Sequence, residues 1–171
     1  MNQEGEFEHI IDVVLSLRKV LHNCWLMIWF TNDITLNALN ASSQGNMAGY
    51  LEMEYTALGA DYLAAKMPVG PKTCQPQGLL NGGASVALAE TVGSMAANLC
   101  VDRTQYYCLG LDINANHLRK VEEGSEVHAV AKPLHVGKTT QVWQIHITNE
   151  QEQLICASRL TVAVLAKKKE T

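Results

Sequence analysis

Apolar residues recur with a helical period in one long stretch. From residue 84 onward, Leu88, Val92, Met95 and Leu99 fall at i, i+4, i+7 and i+11 and form one stripe. No proline interrupts the stretch, and Ala, Leu and Met are frequent in it, which favours helix. A loop with Pro76 and Gly78 leads in through an Asn-Gly-Gly corner, where Asn81 suits the cap position. Elsewhere the period is two. Residues 62–69 set Leu63, Ala65 and Met67 on one side. Residues 139–149 set Trp143, Ile145 and Ile147 against Gln144, His146 and Thr148. Residues 50–58, 106–116, 125–135 and 153–164 read as further strands, separated where Gly, Asn and charge cluster. A short helix is predicted over 35–41, capped near Asn32 and Asp33. Strands that run together, rather than alternating with helices, predict an α+β fold with an antiparallel sheet. One long helix suits being wrapped by such a sheet.

Ahead of this pattern, Ile10, Val13, Val14, Leu17, Val20 and Leu21 repeat with helical spacing. The first eight residues carry three acids and no Lys or Arg, which does not fit a signal peptide. Arg18 and Lys19 break the apolar run well short of a membrane span. The segment reads either as an extra terminal helix or as a leader before a natural start at Met27. The chain then divides into residues 1–26 and one domain over 27–171, long enough for a sizeable core. A net charge of −4 weighs against nucleic acid or an anionic membrane as partner. Five cysteines, an odd number without paired spacing, suit the reducing cytoplasm better than a disulfide framework. No CxxC, HExxH or clustered histidines point to a metal, and no Gly-rich phosphate loop points to a nucleotide cofactor, so none of either is expected. The basic end at residues 167–169 reads as a solvated terminus.

Glu90 is the only charged residue between Lys72 and Asp102. Gly83, Ala87, Ser94 and Ala97 lie near it at helical spacings, and all are small. Ser94, four residues on, is within hydrogen-bonding range of its carboxylate. Pattern alone leaves two readings open: a functional carboxylate, or one that reaches solvent or a Lys. His135, Val136, Gly137 and Lys138 combine a glycine turn with a cation. That suits a phosphate, and equally a plain hairpin. Arg119 and Lys120 offer two more cations. Cys74 has no His near it in sequence to activate the thiol. Trp143, His128 and His146 read as ordinary strand residues.

The order β-β-α-β-β-β-β with GLLNGGASVALAETVGSMAAN on the helix resembles the hotdog-fold acyl-CoA thioesterases. Within these it is similar to the small bacterial enzymes of the phenylacetate-degradation type. MIWF, TLNALNASS, QPQGLLNGG, LDINANHLR, KPLHVGKTT and RLTVAVL fit the family in order, over roughly residues 27–165. The resemblance implies a six-stranded antiparallel sheet wrapped around one central helix. It implies hydrolysis of an acyl-CoA, with coenzyme A as part of the substrate. It further implies an aromatic or hydroxyaromatic acyl group, as in menaquinone-pathway members. By the same resemblance Glu90 is the catalytic nucleophile or general base. The Gly82 backbone N–H polarises the thioester carbonyl, and Gln75 and Ser94 position the reacting groups. Gly110, the segment His117, Leu118, Arg119, Lys120, and the segment His135, Val136, Gly137, Lys138, Thr139, Thr140 match the substrate-binding positions. Asn81 departs from the pattern, because the family mostly carries His there. It serves either as a substitute donor to the thioester oxygen or as a helix cap alone.

The chemistry is consistent with these residue types. Thioester hydrolysis needs donors at the carbonyl oxygen and a base or nucleophile at the carbon. The helix N-terminus offers free N–H groups and the positive end of its dipole, left open by Gly82 and Gly83. No GxSxG elbow supports a serine route. Gly82 and Glu90 are eight residues apart, about 12 Å along a helix axis. One carbonyl group does not span that distance. The spacing therefore predicts a homodimer in which Gly82 of one subunit faces Glu90 of the other, and the resemblance implies a dimer or a dimer of dimers. The competing reading is a hotdog module that binds an acyl-CoA without cleaving it.

Overall fold

The computed structural model describes residues 27–168, where the two-residue periods form strands and the long 3.6-residue period forms a helix. In chain order the elements are α1 (Leu36–Ser42), α2 (Met47–Tyr50), β1 (Glu54–Leu58), β2 (Leu63–Pro68), α3 (Gly82–Leu99), β3 (Tyr106–His117), β4 (Glu126–Val136), β5 (Thr140–Asn149) and β6 (Leu154–Ala166). The six strands form one antiparallel sheet in the order β1-β2-β4-β5-β6-β3, and α3 packs against it. This is the α+β hotdog arrangement predicted from the sequence.

Binary patterning accounts for the core. Leu63, Met67, Val127, Trp143, Ile145, Ile147, Leu160 and Val162 are fully buried on the sheet's inner face. They meet Leu88, Ala89, Val92 and Ala96 of α3, also fully buried. Burying each such side chain stabilises the fold by about 1.5–3 kcal/mol for the larger apolar types. Gly93 lets the helix sit close: a Cβ there would lie 2.7 Å from Leu160 Cδ2 and 3.2 Å from Ile145 Cδ1. Trp29 stacks on Trp143 at 6.4 Å between ring centres and donates from Nε1 to the Gly59 carbonyl at 2.7 Å, tying the start of the described chain to the core.

Two expectations are corrected. The short helix is capped by Thr35, whose hydroxyl accepts from the Ala38 N–H, and not by Asn32 or Asp33. Residues 50–53 are not strand. Asn46 caps a further turn, α2, by accepting from the Ala48 and Gly49 N–H groups, and Glu52 follows at φ 60°. Such caps outcompete a strand of imperfect alternation. On α3, Met95 of the apolar stripe is partly buried and packs against the core, and Ala97, near Glu90 by helical spacing, is fully buried. The helix expected over residues 10–21 lies outside the described residues.

Candidate active site

The loop before α3 is pinned before it reaches the helix. The Gln75 N–H donates to the Leu79 carbonyl at 2.8 Å, and Gly78, at φ +70°, returns its N–H to the Gln75 carbonyl at 3.0 Å. The Leu80 N–H donates to Val121 and the Asn81 N–H to Thr73, both at 2.8 Å. Asn81 then caps α3, its Oδ1 accepting from the Gly83 N–H at 2.7 Å. At the helix start these contacts leave the positive end of the dipole facing a cavity of about 370 Å³. Its wall includes Gln75, Gly82, Ser85, His117, Arg119 and Lys120. Asn81 is not part of that wall among the described residues. His117 presses on Gly82, so that a Cβ on the glycine would meet Nε2 at 2.9 Å. Arg119 Nη1 donates to the Leu154 carbonyl at 2.7 Å, and Lys120 pairs with Glu122 at 3.1 Å, both on the surface. Sequence reading assigned His117 and Ser85 no contact with this helix end. That contact follows from strand register, because His117 lies opposite Cys156 at the far end of β3.

Glu90 lies two turns along α3 and outside that wall. Its carboxylate is partly buried, and Oε1 accepts from the Ser94 hydroxyl at 3.1 Å. Beneath it is the bare backbone of Gly110, where a Cβ would collide with Oε1. The β3 register shifts between Gly110 and Asp112, and this bulge sets that glycine under the carboxylate. One turn further, the Asn98 side chain accepts from the Cys108 N–H at 2.9 Å and donates to the Ser94 carbonyl at 2.9 Å, fixing helix to strand. Ser94 also borders a second cavity of about 440 Å³, with Thr91, Met95 and Asn98 from α3, Asn46 from the α2 cap and Tyr55 from β1. Burial pushes the Tyr55 hydroxyl up to about 12, so it stays a protonated donor at neutral pH. Sequence reading missed this cavity, because its wall comes from segments far apart in the chain.

His135, Val136, Gly137, Lys138, Thr139 and Thr140 form the β4–β5 hairpin, closed by the Gly137 N–H on the Thr140 carbonyl at 3.0 Å. Within one chain they are not brought to the cavity of Gly82. Thr140 pairs with Ala163 and the next residue with Val162, which also faces Gly110, so the hairpin lies at the Glu90 end of the sheet. His117, Leu118, Arg119 and Lys120 lie at the opposite end of β3, seven residues or about 23 Å beyond Gly110. Cys74, Cys100, Cys108 and Cys156 are all free thiols. Desolvation and the nearby Glu123 push the Cys74 thiol up, the wrong direction for a nucleophile. Among the described residues no group of three or more His, Cys, Asp or Glu converges as metal ligands would, and no helix is long and apolar enough to cross a membrane.

Comparison with known proteins gives a consistent result. The sequence profile of the thioesterase superfamily matches residues 77–156, which span the α3 helix and most of the sheet. The chain is 53% identical to a 1,4-dihydroxy-2-naphthoyl-CoA hydrolase of Escherichia coli K12 over 139 residues, 81% of this chain and 100% of that protein. It is 50% identical to the proofreading thioesterase EntH of Cronobacter turicensis, over 81% of this chain and 99% of the other. A crystal structure of a thioesterase from Haemophilus influenzae superposes with a TM-score of 0.80 at 45% identity, over 84% of this chain and 99% of that one.

Proposed function

The chain belongs to the thioesterase superfamily and is an acyl-CoA thioesterase, and we propose that Glu90 attacks the thioester carbon, or takes the proton of the attacking water, while the Gly82 N–H holds the carbonyl oxygen. The observation that carries this reading is the seat of Glu90. Its carboxylate is oriented by Ser94, rests on a β3 residue with no side chain, and is partly exposed. A salt-bridged surface Glu would have a cation beside it, and the described residues give Glu90 none. The Gly82 end supplies the complementary half: an N–H at a helix start, with Gln75 close by.

Among the described residues Glu90 is not part of the wall of the Gly82 cavity, which supports a homodimer whose sites each combine two subunits. Among the described residues the long strand β3 pairs with β6 on one side and has no partner strand on the other, and its Leu109 and Leu111 are exposed. An edge of that length is suited to pairing with a second copy. Antiparallel pairing of two β3 strands would bring the His117 end of one subunit to the Gly110 end of the other. That arrangement would join Arg119 and Lys120 to Lys138 of the opposite hairpin, a set of cations matched to the phosphates of coenzyme A. The acyl group would then extend past Ser94 into the second cavity, whose Thr91 and Tyr55 suit hydroxyls on an aromatic ring. The hydroxyaromatic name of the Escherichia coli relative agrees with that choice.

The test is Glu90→Gln, which keeps size and removes charge. On a panel of aryl- and alkyl-CoA esters followed by thiol release, turnover is expected to fall by at least about 10². A folded variant that retains wild-type turnover would rule this mechanism out.

A further inference from the structure

Resting on the reading of Gly82 and Glu90 above, we propose that His117 is a catalytic residue, its Nε2 giving the thioester oxygen a second hydrogen bond beside the Gly82 N–H, and that Asn81 does not supply that bond. A Cβ built on Gly82 stands 2.9 Å from His117 Nε2, with the flanking ring carbons at 3.2 and 3.3 Å. The imidazole therefore points tip first at the glycine. A Cβ position lies about 2.5 Å from its own amide nitrogen. The Gly82 nitrogen and His117 Nε2 are thus no more than about 5.4 Å apart. Two N–H···O bonds of about 2.9 Å span up to about 5.8 Å, so one carbonyl oxygen fits between the two donors. Both groups line the same cavity. With its proton on Nε2, the neutral ring donates, and the imidazolium donates as well.

Asn81 is held as a helix cap: its Oδ1 accepts from the Gly83 N–H at 2.7 Å, which fixes the side chain, and its backbone N–H donates to the Thr73 carbonyl at 2.8 Å. It stands outside the cavity wall that His117 helps to form. Its task is to hold the first turn so that the Gly82 N–H faces the cavity. Gly82 has no side chain because the imidazole occupies the space a Cβ would take.

The experiment separates a carbonyl contact from a coenzyme A contact by shortening the substrate. Benzoyl-CoA is compared with benzoyl-S-N-acetylcysteamine, which keeps the thioester and lacks the nucleotide and phosphates. His117→Phe is expected to lower kcat by about 10²–10³ on both, the usual loss for one such donor. His117→Gln, which keeps an N–H, should recover at least about tenfold of that, and Asn81→Ser, which keeps a capping oxygen, should lose at least about tenfold less than His117→Phe. Melting temperature is measured for each variant to confirm folding. The proposal is overturned if His117→Phe raises KM for benzoyl-CoA but leaves turnover of the short thioester intact, or if Asn81→Ser loses as much as His117→Phe. Glu90→Gln is assayed alongside. Activity in Glu90→Gln with loss in His117→Phe would remove Glu90 and retain His117, and the reverse pattern would remove His117 alone.

Discussion

At the scale of single residues, what matters is which groups have been given room. Glu90 was legible in the sequence because one charge stands alone in an apolar helix. Its seat was not legible, since the contact with Gly110 depends on a bulge in β3 and on the packing of that strand beside the helix. Gly110 was expected only to touch substrate. The structure adds that it is the floor under the carboxylate. Gly110→Ala puts a methyl group where Oε1 now lies, and the flexible end of a Glu swings away at little cost to the fold. The active geometry is what suffers, because catalytic groups tolerate displacements of much less than a side-chain swing. The expected outcome is a fall in kcat of about 10² or more, close to that of losing the base, with a melting temperature within a few degrees of wild type. Wild-type turnover in Gly110→Ala would show that Glu90 needs no such floor.

At the scale of elements, the long helix divides its labour by face. Leu88, Ala89, Val92 and Ala96 are fully buried, and Glu90, Thr91, Ser94 and Asn98 are partly exposed, with Glu90 and Asn98 lying against β3. The stripe read from spacing captured the buried face, since Leu88, Val92 and Leu99 are buried and Met95 packs against the core, but a stripe drawn from a few apolar residues does not fix how deeply each is covered. The sheet was legible for a plainer reason: strands buried on one face must alternate. The turns before β1 were not, because Thr35 and Asn46 act through local side-chain caps that leave little hydrophobic signature. Gly93, on the buried face, contrasts with Gly110. Gly93→Ala regains about 1 kcal/mol of helix propensity, but overpacking against a tight core costs about 1–3 kcal/mol. Leu160 and Ile145 are fully buried and have nowhere to move, so the cost prevails. Thermal denaturation should show a lower melting temperature by a few degrees, while kcat well below the transition stays within about threefold of wild type. Loss of kcat without loss of stability would mean that helix position, rather than core volume, is the sensitive quantity.

At the scale of the whole molecule, the sequence held a constraint that the fold of one chain leaves unmet. Gly82 and Glu90 are separated by two turns of one rigid helix, about 12 Å, and each borders a different part of the surface. The segments expected to touch coenzyme A divide in the same way, His117 to Lys120 with Gly82 and the 135–140 hairpin with Glu90. A spacing along one helix can be read from numbering alone, whereas the division of the binding segments required the register of four strands. If each site combines the Gly82 half of one subunit with the Glu90 half of its partner, inactive subunits should rescue one another. Glu90→Gln removes one half, and Gly82→Val blocks the other by driving a side chain into His117. Each variant alone is expected to form dimers with no intact site. Coexpressed at equal levels, half of the dimers pair one variant with the other, and each such dimer regains one of its two sites, giving about a quarter of wild-type activity in the whole mixture and about half in the mixed dimers alone. A site built within a single subunit predicts no recovery, because every subunit then carries a defect of its own. The measurement is turnover per subunit in purified mixed dimers carrying two different affinity tags. Activity no higher than the sum of the two variants would place the complete site in one chain and would require the helix contacts described here to rearrange on substrate binding.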